Sequence, residues 1–367
     1  MPPAAAASRN PDQPWLDVDS KGNAVICWER GGWEIWFCKV DRSGNFAIRK
    51  THVNPGAVDT PTMPKVVVDS KDDIHIFYLD CKSKDRNIHY VKYSSQGNLL
   101  VKNRIVGRTG YSAIWVGADI YNAVATPSGD IYLMWYARDN NTWGAGYARL
   151  DSSGNALARA FLPGFFGLGS GFVMETVGFA FSMDMDSHLG LHLVWSSEYR
   201  VLNTTAMSYT ESNWTSGGDV IKVDKQDGIH VSVHGGYARL DSNGLLVHQG
   251  PFTAIGGYPI VQAGNEYLYL GKNGAADSSG DLHLVEVEKE TEIRPRDTIN
   301  YYTIYYSRID IASQNTEMEN KIIDSDRGTL DLSPEKILVL TVLIVVPTAI
   351  VLQVFIHRRR KRKALIK

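Results

Sequence analysis

Cysteine is nearly absent from this chain. Among 367 residues there are three, Cys27, Cys38 and Cys81. An odd count with no close spacing excludes a thiolate metal cluster and a disulfide-stapled framework. Cys27 and Cys38 fall on two strands expected to be hairpin neighbours. That leaves two readings open, a cross-strand disulfide or two buried free thiols acting as small hydrophobes. A basic body is missing as well. The formal charge is −2, and seven cations between Arg358 and Lys367 hide a body, residues 1–357, that carries −9. An acidic body has no basic footprint, which excludes nonspecific nucleic-acid binding. Helical periodicity is absent before residue 337, and Met1–Trp15 (MPPAAAASRNPDQPW) lacks the apolar run of a secretory signal. No Ser/His/Asp order stands out for nucleophilic catalysis. Gly164–Gly171 is glycine-rich, but no Lys follows and no strand–helix context surrounds it, so it is not a phosphate loop. Phe165 and Phe166 within it are expected to pack between the third and fourth repeats.

What the chain does contain is repetition. Six times a polar turn opens onto an apolar strand centred on Val25, His75, Tyr132, His192, His230 or His283, at separations of 50, 57, 60, 38 and 53 residues. Six residues before each centre stands Asp19, Asp69, Thr126, Asp186, Asp224 or Asp277. A period in this range marks a repeat architecture. Hydrophobic content of 44% with 33 Gly and 18 Tyr fits an all-β body. In the first copy Trp15–Asp19, Ala24–Trp28, Ile35–Asp41 and Phe46–Val53 read as four strands of a meander. The turns Asp19–Asn23 and Asp41–Asn45 join the first to the second and the third to the fourth. In each, Asp caps the turn and Gly accepts a positive φ. The second turn recurs at Ser94–Asn98, Asp151–Asn155 and Asp241–Leu245, decays to Thr210–Asn213 in the fourth copy, and is barely visible near Asp310 in the sixth. Four-stranded meanders repeated around a ring make a β-propeller. The spacing thus predicts a six-bladed propeller of four-stranded antiparallel blades over 14–325, with repeats at about 14–60, 61–112, 113–170, 171–217, 218–256 and 257–325, after an N-terminal tail (1–13). A stacked β-sandwich array is the alternative, but each repeat is too short to close a sandwich core.

Beyond a linker (326–336) lies an uncharged run of twenty residues, Ile337–Ile356, followed at once by Arg358–Lys363. At about 1.5 Å rise per residue a helix of that length spans about 30 Å, the hydrocarbon thickness of a bilayer. The basic stop places the tail, 357–367, in the cytoplasm and the propeller outside. Sequons at Asn140, Asn203 and Asn213 agree with that side and are candidate N-glycosylation sites.

The turns and strands resemble the sialidase-like, Asp-box-type (BNR-repeat) β-propellers, particularly the membrane-anchored surface versions found in prokaryotes, over about residues 14–325. The family's turn reads Ser-x-Asp-x-Gly-x-Thr-Trp. Here Asp41-x-Ser43-Gly44 and Asp151-x-Ser153-Gly154 stand at that place with different spacing and without the Trp. Sialidases of this fold bind their substrate carboxylate with three arginines, the first in an Arg-Ile-Pro motif. This chain offers only Arg294-Pro295-Arg296 in the last repeat, so the resemblance does not extend to sialidase activity.

In such blades both Asp/Gly turns lie on one face, and the divergent loops between second and third strands lie on the other. Binding residues favour variable loops on a rigid scaffold. Those loops carry Glu29 and Arg30 with Trp33, Asp85 and Arg86, Arg138 and Asp139 with Trp143, Glu198, Tyr199 and Arg200, and Arg296 with Asp297. Arg forks grip carboxylates or sulfates and aromatics offer a flat platform, a combination suited to an acidic glycan or a protein partner. The blander reading is solvated loops whose Arg and Asp pair with each other. The four central histidines belong to different blades, so packing is favoured over a shared metal. The Asp turns lack the acid density of a calcium loop. No cofactor is implied. The chain therefore reads as a membrane-anchored surface propeller that binds or scaffolds a glycan or protein. The alternative is a glycoside hydrolase or lyase using loop carboxylates such as Glu29, Asp85 or Glu198. A tail-anchored cytosolic scaffold is a weaker third reading.

Overall fold

The computed structural model describes residues 14–323 apart from 31–33, 54–60, 81–85, 111–119, 167–180, 196–197, 212–219, 234–235, 243, 256–257, 264–265, 272–273, 295–296 and 312–314. The apolar run Ile337–Ile356, the basic tail 357–367, Cys81, Trp33, Asp85, Asn213 and Arg296, all named from sequence, lie outside the described residues. No helix among the described residues is long and apolar enough to cross a membrane.

Six four-stranded antiparallel sheets follow one another along the chain. The first contains Trp15–Val18, Ala24–Arg30, Glu34–Val40 and Phe46–His52, paired in sequence order. Every other blade is likewise a meander of consecutive strands, so among the described residues no strand is exchanged between the first and last. The ring closes instead by packing. Leu16, Ala24, Ile26 and Trp28 of blade 1 share a core with Val285, Ile304, Tyr306 and Ile322 of blade 6, and Arg42 donates to Asp281 across the same seam. The innermost strands are Trp15–Val18, Pro61–Val68, Tyr121–Ala125, Phe181–Met185, Ile221–Val223 and Gly274–Ala276.

The second strand of each blade shows why these sequences make this fold. Ala24–Glu29 is buried at every position, because blades pack against both of its faces and both alternating sets of side chains meet apolar neighbours. The outermost strand, Phe46–His52, is mostly exposed. Cys27 pairs across the ladder with Phe37, and Ile26 with Cys38. The two thiols therefore point to opposite faces of the sheet and sit in different cores. They are free and buried, and the disulfide reading falls.

The turns take the form expected from the Asp/Gly pattern. Gly22 N–H donates to the Asp19 carbonyl at 3.0 Å, and Asp19 Oδ1 accepts the N–H groups of Lys21 and Asn23. Gly22 adopts φ 75°, a left-handed backbone that glycine enters without a Cβ penalty. In blade 2 Asp72 occupies the corresponding position at φ 64°, and in blade 5 Asp227 at φ 60°. Both spend their carboxylates on the preceding blade. Asp72 accepts Ser20 N–H at 2.8 Å and its hydroxyl at 2.9 Å; Asp227 accepts Ser187 N–H at 2.8 Å and its hydroxyl at 2.6 Å.

Two expectations need correction. A three-stranded sheet, Thr253–Ile255, Tyr258–Ala263 and Glu266–Tyr269, stands between blades 5 and 6. It packs on blade 6 through Ile260 and Tyr269 against Leu282, Leu284 and Ile309. Its strands are too short and its turns too irregular to register in the repeat. In blade 4 the outer hairpin turns between Asn203 and Ser208, not at Thr210–Asn213. Asn203 Oδ1 accepts the N–H groups of Thr205 and Ala206 in that turn. Asn203 is thus on the turn face, whereas Asn140 sits exposed at the opposite end of its blade, in the tight hairpin after Asp139.

Candidate functional site

Among the described residues, the loop positions singled out from sequence each have local partners. Glu29 is buried and accepts the Thr62 hydroxyl from the next blade. Arg30 is exposed, its guanidinium 5.8 Å from the ring of Trp36. The Trp36 indole donates to Glu34 at 2.9 Å. Arg86 is half-buried, with a left-handed backbone at φ 44°. Arg138 lies 5.4 Å from the ring of buried Trp143 and donates to Asn141, while Asp139 is exposed at its strand end. Asp297 opens the strand Asp297–Asp310 opposite Arg294.

Blade 4 shows where Arg-and-carboxylate chemistry goes when it is used for packing. Arg200 is buried, donates to the Phe165 carbonyl and pairs with Glu198 at 3.3 Å. The rings of Tyr209, Trp195 and Phe165 surround its guanidinium at 5.0, 5.3 and 5.5 Å. Phe165 and Phe166 pack against Trp195 and Phe181, and Phe166 also meets Tyr136 of blade 3. Tyr199 turns its hydroxyl inward. Tyr199 and Arg200 are therefore interior residues and not part of an open loop face.

The histidines have a local explanation. His75 places Nε2 3.0 Å from Asp69 Oδ2 and Nδ1 2.9 Å from the Tyr90 hydroxyl. Asp186, His192 and Tyr199 repeat the arrangement at 3.0 and 2.7 Å, and Asp277, His283 and Tyr306 at 3.2 and 2.7 Å. His230 keeps the aspartate half, 2.9 Å from Asp224. An ionised carboxylate only accepts, so Nε2–H donates to Asp, and in a neutral His75 ring, the form that burial favours, Nδ1 accepts the Tyr90 O–H. Burial lowers His75 further below its ordinary value, against the pull of Asp69. Hydrogen bonds from His75 and from the Lys71 and Asp73 N–H groups hold Asp69 well below the carboxylate range despite its burial. In blade 1, where Val25 replaces the histidine, Lys39 meets Asp19 at 2.6 Å. These networks tie each turn to its own blade.

The inner strands enclose an axial cavity of about 290 Å³. Each inner strand turns one unpaired edge toward the axis, and side chains of the preceding blade cap part of it. Asp17 accepts Val68 N–H at 2.8 Å as well as Val18 N–H at 2.9 Å. Asp184 accepts Val223 and Met185 N–H at 2.9 Å each. Ser182 Oγ accepts Ile221 N–H at 3.2 Å, and the Asn122 amide donates to the Phe181 carbonyl at 3.4 Å. Asp17, Asp184, Asn122, Ser182 and Lys222 all line the cavity. Burial pushes the Asp17 carboxyl above its ordinary value, against the Val68 and Val18 N–H donors and the Lys222 ammonium, and the Asp184 carboxylate adds to the rise.

Sequence reasoning missed this group because it looked at loops. The signal was nonetheless in the chain. Each inner-strand position two residues before the turn residue faces the same level, and those positions are Asp17, Val67, Val124, Asp184, Lys222 and Ala275. The matched segments Asp17-Val18-Asp19-Ser20 and Asp184-Met185-Asp186-Ser187 give blades 1 and 4 the same contacts to blades 2 and 5. Blades 2, 3 and 6 share a third-strand cation on the carboxylate four residues after the turn residue: Lys92–Asp73 at 2.7 Å, Arg149–Asp130 at 2.6 Å and Arg308–Asp281 at 3.8 Å. At the axis the ring thus approximates two halves, with blades 1 and 2 matched by blades 4 and 5.

No protein-family model and no curated protein sequence matches the chain. Among solved structures, a protein of unknown function from Bacteroides caccae is 10% identical at a TM-score of 0.48, over 81% of this chain and 93% of that one. A gluconolactonase from Xanthomonas campestris is 12% identical at 0.37, over 75% and 84%. A puromycin hydrolase is 12% identical at 0.43 over 82% of this chain, which spans 51% of its length. Likenesses at this level carry nothing about chemistry. What the chain's own sheets establish is an all-β, six-bladed propeller of four-stranded antiparallel blades.

Proposed function

We propose that the chain is a binding propeller, tethered to a membrane by Ile337–Ile356 with its blades outside, which holds a glycan or protein partner without cleaving it. The repeated Asp/Gly turns support a relationship to the sialidase-like surface propellers. The observation that favours binding over hydrolysis is the engagement of the carboxylates. Glycoside hydrolysis needs two carboxyls across the scissile bond, about 5–10 Å apart. Glu29 is held by Thr62 and Glu198 by Arg200, in different blades. Asp17 and Asp184 each already accept two backbone N–H groups.

The test is a glycan array probed with the full chain in nanodiscs, alongside an assay for released reducing ends. Retention of a glycan without release is the expected result. Turnover that disappears in Glu29→Gln or Glu198→Gln would replace this reading with the enzyme. Protease added to intact cells separates the topologies: digestion of the propeller agrees with a surface location, and full protection with a tail-anchored cytosolic body.

A further inference from the structure

The two-half correspondence makes departures from it informative, because a scaffold repeated in matching parts has no structural need to differ at one place. Such local breaks are where function is expected. At the level of Asp17 and Asp184 the halves differ in charge at one pair of positions, Val67 in blade 2 and Lys222 in blade 5. Blade 2 also has a lysine, two residues earlier, and it is used for packing. Lys65 is buried with its ammonium 3.6 Å from the Trp15 ring and 5.8 Å from the Tyr121 ring. Blade 5 has Val220 at that earlier position. Its lysine stands instead on the cavity wall, half-buried, and makes no hydrogen bond or ion pair among the described residues.

Lys222, Asp17 and Asp184 come from three blades, and the two aspartates from opposite ones. A carboxylate has about four acceptor sites, so each aspartate retains capacity after its two backbone N–H groups. Lys222 contributes three donors. Val68 and Val124, both half-buried, leave aliphatic surface on the same wall. We infer that the axial cavity is a binding site for a small neutral polyhydroxylated ligand, a single sugar-like ring, with Lys222 donating to its oxygens and Asp17 and Asp184 accepting from its hydroxyls. A hydroxyl both donates and accepts, so it satisfies either kind of group. Two carboxylates against one ammonium disfavour an anionic ligand, and a neutral polyol, unlike a cation, also offers acceptors to the Lys222 ammonium. The size follows from the volume: about 290 Å³ lies just below the range of about 300–1,000 Å³ for ligand pockets, which suits a single ring. Charge-assisted hydrogen bonds of this kind are about twice as strong as neutral ones.

This inference rests on the binding reading above but locates the ligand on the axis. Titration calorimetry of the full chain in nanodiscs, free of sugar-based detergent, tests it with glucose, galactose and mannose, and with glucosamine and glucuronate as charged counterparts. At least one neutral hexose is expected to bind, and more tightly than either charged sugar. Lys222→Met should weaken that binding about tenfold or more, the loss of one charge-assisted hydrogen bond. The thermal midpoint of the unliganded variant should move little, since among the described residues Lys222 makes no hydrogen bond or ion pair and only its longer-range attraction to Asp17 is lost. Asp184→Asn, which keeps one acceptor for Val223, should weaken binding in the same direction and gives a second reading. Three outcomes each overturn the proposal: no hexose bound, tighter binding of a charged sugar, or unchanged affinity in both variants. A chain that captures an array glycan yet ignores free hexoses keeps the binding function and loses this site.

Discussion

The Asp184 carboxylate accepts the Val223 N–H at 2.9 Å, across the seam from blade 4 to blade 5. Asp17 does the same for Val68 in the opposite half, at 2.8 Å. A strand edge facing a narrow polar channel has N–H groups with no ladder partner, and a buried donor left unsatisfied is costly. The innermost strands are therefore held by side chains of the neighbouring blade, and the carboxylates that seem poised for chemistry also carry the ring.

Removing that cap should loosen one seam. Asp184→Ala is expected to destabilise the propeller by about 1–3 kcal/mol, the cost of an unsatisfied buried donor. Asp184→Asn, with one acceptor oxygen left, should cost less. Urea midpoints of the two variants against the parent decide this, and equal losses would mean that the charge, not the cap, matters.

Asp17 and Asp69 should respond to acid in opposite senses. The folded value of Asp17 is raised, so its contribution is complete below about pH 3.9, the unfolded value, and is lost as pH rises through the folded one. Asp17→Asn does not ionise, and its stability relative to the parent should improve between pH 4 and 7. Asp69 is depressed, so its contribution is present above about pH 3.9 and lost as pH falls further. Asp69→Asn should flatten the parent's decline below pH 4. His75, also lowered, adds a loss that begins as pH falls below about 6.5. Denaturation midpoints from pH 3 to 8 read all three.

Arg200 should be a stability residue of blade 4. Its guanidinium is enclosed by three aromatic rings and by the Phe165 carbonyl. Arg200→Ala is expected to cost about 3 kcal/mol, since it leaves acceptors and ring faces without their partner. Lysine should recover little, because it lacks the planar fork and the stacking surface. A thermal midpoint unmoved by Arg200→Ala would return the residue to the open loop face.

Cys27 and Cys38 should be inert to thiol reagents in the native protein. Burial pushes the Cys38 thiol up to about 12 and Cys27 higher still. The thiolate is the reactive form, so labelling at pH 8 should wait on unfolding. Mass spectrometry after alkylation, with and without denaturant, shows which peptides are modified, and rapid native labelling of either would contradict the packing.

The blades were legible in the sequence because their determinants are local. An Asp and a Gly within five residues specify a turn, and an apolar run after it specifies a strand buried on both faces. The histidines were visible too, together with the aspartates six residues before them. Their partnership was not, since it depends on the tyrosine that the third strand brings alongside, from Tyr90 to Tyr306. The loop face misled for a related reason. Arg30 and Arg138 stand at the ends of second strands and Arg200 lies in a third strand, and the rings that flank each one decide whether it reaches solvent. The axial group was hidden because Asp17, Asp184 and Lys222 lie up to 205 residues apart in the chain. By itself the sequence determined the repeat, the strand order and the acidic body with its apolar, basic-ended C-terminus. Only the tertiary structure decided that the ring closes by side-chain packing and that three charged residues line the cavity on its axis. Strand formation is a matter of neighbours in the chain, whereas ring closure and the axis depend on all six blades at once.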